Sequence, residues 1–61
     1  MATSIDLRTW QKRELFRLLK LLHRNKGIEV IGLKEEIAEA RAVMVREDIA
    51  DVEKEIVTLY E

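Results

Sequence analysis

Apolar side chains in the first third of the chain fall on one side of a helix. Projected at about 100° per residue, Leu7, Leu15, Leu18, Leu21 and Leu22 share a broad sector, with Leu19 at one edge and Trp10 at the other. Asp6 is a candidate N-cap, because its carboxylate can accept from the free amides of a first turn; Ser4 is the alternative. Ile5 and Trp10 stand at the two hydrophobic-staple positions. Gly27 suits the left-handed residue that closes a helix, with Ile28 folding back onto Leu22. The pattern predicts a first helix over residues 7–26.

The joint that follows, residues 27–32, reads GIEVIG, and its Ile28, Val30 and Ile31 are expected to plug the end of a bundle. From Leu33 onward Glu35 and Glu36 favour a helix start, and no Gly or Pro interrupts the chain. A second helix is therefore expected over residues 33–60. Its Ala38, Ala42, Val45, Ile49, Val52, Ile56 and Leu59 alternate in steps of four and three, a heptad seam. Val43, Ala50 and Val57 form another stripe nearly opposite, and Leu33, Ile37, Ala40 and Met44 widen the apolar surface near the start.

Length bears on assembly. Helices of about 20 and about 28 residues differ by about 12 Å, so the end of the second overhangs the first. The expected fold is all-α: residues 1–61 form a single antiparallel helical hairpin, which dimerises into a four-helix bundle. Ala42, Val45, Ile49, Val52, Ile56, Leu59 and Tyr60 are the expected self-association residues.

Composition agrees with helices. Ala, Glu, Lys, Leu and Arg make up 33 of 61 residues, and there is no proline. The absence of cysteine excludes disulfides and thiolate metal sites and makes a cytoplasmic setting the default expectation. No apolar run approaches the roughly 18 residues that cross a bilayer. The initial methionine favours a complete protein. A net charge of −1 conceals a split: residues 1–27 hold seven Lys/Arg against Asp6 and Glu14, and residues 28–61 hold four against ten acids. Such a split marks either a basic nucleic-acid face or two halves that pair with each other.

Candidate chemistry is sparse. Arg13, Arg17, Lys20 and Arg24 recur at four, three and four, a basic ridge that could follow a phosphate backbone with Trp10 beside it to stack on a base. The same ridge could be the wet face of a bundle helix. Glu14 and Gln11 intrude on the leucine sector; in a hairpin Glu14 lies level with Val45, which points to Arg46 or Arg41 as a register-setting partner. A lone His23 near the end of the first helix leaves no histidine pair for a zinc or di-iron site. Asp48, Asp51 and Glu55, beside Glu47, read as a solvated acidic face. Ser4, the one serine, is far from His23, so no nucleophile–base set forms; no catalysis, metal or cofactor is expected.

The functional expectation is a non-enzymatic, homo-oligomeric helical interaction module, a small regulator or adaptor with an unidentified protein partner. The alternative is a dimeric nucleic-acid-binding regulator using Trp10, Arg13, Arg17, Lys20 and Arg24. A membrane role is not expected, since a basic helix lying on lipid would have to abandon its partner helix.

Overall fold

A computed structural model describes residues 7–60 and contains three helices: α1 (Leu7–Arg24), α2 (Leu33–Ala42) and α3 (Arg46–Tyr60). No strand occurs among the described residues, so the chain is all-α as its pattern predicts. The capping residues Ser4 and Asp6, and the staple residue Ile5, lie outside the described residues.

The first joint forms where expected. Gly27 and Gly32 both adopt left-handed backbone, with φ of 85° and 84°, a region in which a side chain is strained. α1 ends at Arg24 rather than Lys26, because Asn25 turns the chain: its side-chain amide donates to the Leu21 carbonyl at 2.8 Å, and its own carbonyl accepts the Ile28 amide at 2.9 Å. The Leu33 amide then donates to Val30, and Gly32, at the N-cap of α2, accepts the Glu36 amide at 3.0 Å. Glu35 and Glu36 sit in that first turn, where the helix dipole favours acids. The residues between do not plug the bundle. Ile31 is 96% exposed and Ile28 68%, since the two glycines swing the joint outward, past the end of the core.

The largest difference from the expected hairpin lies at Val43–Val45. The second helix is not continuous: α2 ends at Ala42, and the chain reverses into α3 without Gly or Pro. The Met44 amide turns back to the Arg41 carbonyl at 3.1 Å, and the Val45 carbonyl accepts the amides of Asp48 at 3.0 Å and Ile49 at 3.2 Å. Val45 thus stands at the N-cap of α3, with Glu47 and Asp48 in its positive first turn. Two β-branched valines weaken the helix locally, and refolding the overhang onto α1 buries apolar surface that an unbroken helix would leave in water.

Helix directions follow from the side chains that meet. Trp10 shares a groove with Val43, and Leu22 lies with Leu33 at the other end, so α2 runs antiparallel to α1. Arg8 meets Asp48 and His23 meets Tyr60, so α3 runs parallel to α1. The core contains Leu15 and Leu18 of α1, Leu33 and Ile37 of α2, Met44 of the turn and Val52 of α3, with Phe16, Leu19, Leu21, Ala40 and Ile49 packed around them. The buried stripe of α2 is the one that begins Leu33, Ile37, Ala40, not the predicted seam through Ala38 and Ala42, both of which are exposed.

The break makes a testable prediction. Valine is a poor N-cap and the Val45 side chain is half exposed, so Val45→Ser should raise unfolding stability by about 1 kcal/mol. Serine and valine differ little inside a helix, so an unbroken helix would gain nothing. Chemical denaturation followed by circular dichroism distinguishes the two.

Candidate interaction surfaces

α1 carries the basic ridge on the side away from Leu15 and Leu18. Arg13, Arg17 and Arg24 are exposed, and Lys20 is half-buried with its ammonium 5.3 Å from the centre of the Phe16 ring. Arg17 donates to Glu14 at 2.8 Å, three residues earlier on the same helix. This bond and the charge of Glu14 hold the Arg17 guanidinium above its ordinary pKa against desolvation, with the smallest contribution from the charge of Glu36. Among the described residues neither Arg13 nor Arg24 forms an ion pair.

Glu14 therefore does not set register with the second half of the chain. Arg41, one of its expected partners, lies 3.4 Å from Glu53 and links α2 to α3. The expectation assumed a continuous second helix; the chain reversal at Val43–Val45 removes the register on which it rested.

Trp10 is about half exposed and lines the groove between α1 and α2. That groove has Glu14, Glu36 and Glu39 on its walls and Leu18, Ala40 and Val43 among its apolar lining. The tryptophan thus shares its groove with three acids as well as flanking the ridge. A second open groove, between α1 and α3, is lined by cations and anions together, Lys12, Arg13 and Lys54 with Asp51 and Glu55, around Phe16 and Leu59.

The residues expected to mediate self-association divide. Val52 and Ile56 are 1% and 3% exposed, covered within their own chain, and Ile49 is partly covered. Tyr60 stacks on His23 with ring centroids 4.7 Å apart and planes 7° apart. Ala42, Val45 and Leu59 remain exposed. The overhang from which self-association was expected is absent, because that part of the chain folds back as α3.

The acidic face of α3 is also altered. Asp48 is 3% exposed, not solvated, and the Arg8 guanidinium grips it with both ends of its fork: Nε to Oδ2 at 2.9 Å and Nη2 to Oδ1 at 2.8 Å. Lys12, one turn along, lies 3.5 Å from Asp51. This ionic pairing was not anticipated. Its signal is present in the chain, as two cations four apart on α1 and two acids three apart on α3, but it is readable only once the two helices are known to run parallel. Among the described residues no group of three or more His, Asp or Glu is placed to hold a metal ion, and no helix is long and apolar enough to cross a membrane.

No family model, no curated protein and no solved structure matches this chain.

The hydrogen bonds from Arg8, aided by the charges of Arg8 and Lys12, hold the Asp48 carboxyl below its ordinary value of 3.8 against the opposing effect of burial. A carboxylate lowered on folding stabilises the fold fully above its unfolded pKa, and that stability is lost as pH falls through the lower folded value. Asp48→Asn should therefore lower the melting temperature at neutral pH. The gap from wild type should close as pH drops below about 4. A gap that stays constant down to acid would show that the charge of Asp48 is not what matters.

Proposed function

We propose that this protein is a non-enzymatic helical interaction module, a small regulator or adaptor that acts by docking on another protein. The observation that carries this reading is the first joint. Leu22, Ile28, Val30 and Ile31 lie exposed together around one end of the bundle, on a turn held by two left-handed glycines and by backbone hydrogen bonds. Scattered surface apolar residues are ordinary, but a contiguous cluster on a defined turn is the kind of surface proteins bury on one another. Glu29, Lys34 and Glu35 line it as well, giving an apolar centre with a charged rim, the usual anatomy of an interface.

A second reading, a nucleic-acid-binding regulator, is favoured by the exposure of Arg13 and Arg24 without ion pairs. It ranks lower because Arg17 is engaged by Glu14, and Trp10 borders Glu36 and Glu39, which would repel a phosphate backbone.

A photo-crosslinking residue at position 31, expressed in the native cell, should give a discrete adduct that one at exposed Glu47 does not, and Ile28→Asp should abolish it. Absence of any position-31 adduct would overturn the proposal. As a control on folding, Ile31→Asp should change stability by less than about 0.5 kcal/mol, because its side chain touches almost nothing.

A further inference from the structure

Two stripes of opposite charge lie side by side along α1. One is the ridge, with exposed Arg13 at the lip of the α1–α3 groove and half-buried Lys20 over the Phe16 ring. The other is the α1–α2 groove, where Glu36 and Glu39 stand over Leu18, Ala40 and Val43. Trp10 and Arg17 mark the border between them. They are seven residues apart, so they lie within about 20° of each other around the helix. Arg17 reaches across to Glu14, which lines that groove, so the groove lies on the Glu14 side of the ridge.

We propose that this border is a homodimer interface, in which a second copy docks about a two-fold axis running along α1. Symmetry selects that axis. Rotation about a line parallel to the border exchanges the two stripes, so each ridge faces the partner's acidic groove. An axis across α1 would set cations on cations and acids on acids. The charge pattern also selects the occupant. A polyanion would meet Glu14, Glu36 and Glu39 beside the cations, and a basic peptide would meet the ridge beside the acids. A second copy satisfies both stripes at once. The half-exposed Trp10, near the axis, supplies the apolar centre such an interface needs, together with exposed Val43. This surface is distinct from the joint at Ile28–Ile31, and the inference rests on the interaction-module reading only in that both assign binding to a surface.

Analytical ultracentrifugation with Trp10 emission tests it. Wild type should self-associate, with emission shifting to shorter wavelength as concentration rises, and association should weaken at least about tenfold between about 0.02 M and 0.5 M salt. R13E/K20E and E36K/E39K, each folded by circular dichroism, should each be monomeric. Their equimolar mixture should recover the dimer, because the acidic ridge of one variant then faces the basic groove of the other, while the second contact keeps its wild-type signs. A wild-type monomer at low salt, or folded variants that stay apart when mixed, would overturn the proposal. Association unaffected by either variant would also overturn it, placing self-association on another surface while leaving the interaction-module reading intact. Monomeric wild type that binds single-stranded RNA, and loses it in R13E/K20E, would assign the ridge to polyanions instead.

Discussion

Burial of α1 from two sides is the constraint to which the rest of the molecule answers. Leu15 is fully buried and Leu18 nearly so, and they can be covered only if one helix approaches on the Leu18 side and another on the Leu15 side. A chain this short has no spare element for either task, so its second half has to supply both. The reversal at Val43–Val45 does that. It converts one long amphipathic helix, with apolar surface on nearly opposite sides, into two short helices that each present a single apolar face to α1. A helix that is apolar on two sides cannot bury both against one neighbour, whereas two halves that fold around that neighbour can.

The reversal after α2 sets α3 parallel to α1, and charge then fixes its register. Apolar contacts alone are tolerant of a slide along the helix axis, whereas ion pairs between named residues are not. The forked Arg8–Asp48 bond and the Lys12–Asp51 pair can form together only with the N-termini of α1 and α3 at the same end. Tyr60 on His23 closes the other end. Partly buried ionic pairs are weak contributors to stability but can favour one arrangement among several of similar apolar burial. Asp48 has this role: opposed any other way, its carboxylate would be buried without a partner.

What the fold leaves outside is as informative as what it covers. Folding back satisfies the apolar surface of Val52, Ile56 and Met44, yet Ile28, Ile31, Val43, Val57 and Leu59 remain exposed. A three-helix core of this size cannot cover every apolar side chain of a chain that is 48% hydrophobic. Several of them lie at the first joint or along the grooves beside α1, which is why surfaces rather than cavities carry the functional reading.

The sequence by itself determined the all-α class, α1, the position of the first joint and the antiparallel α1–α2 pair, because these depend on local chemistry: leucines at helical spacing, two glycines for left-handed backbone, acids in a first turn. It also determined the basic ridge, since residues four and three apart share a helix face whatever packs behind them. Only the tertiary structure decided the break at Val43–Val45, where no local signal is strong enough to stop a helix and the gain comes from burying distant residues. For the same reason Glu14 found Arg17 rather than Arg41, and Asp48 moved from an expected solvated face to a buried position bonded to the largely exposed Arg8. Periodicity reports which residues share a side of a helix. Which sides meet depends on where the chain turns back, and here that was set by the need to enclose α1.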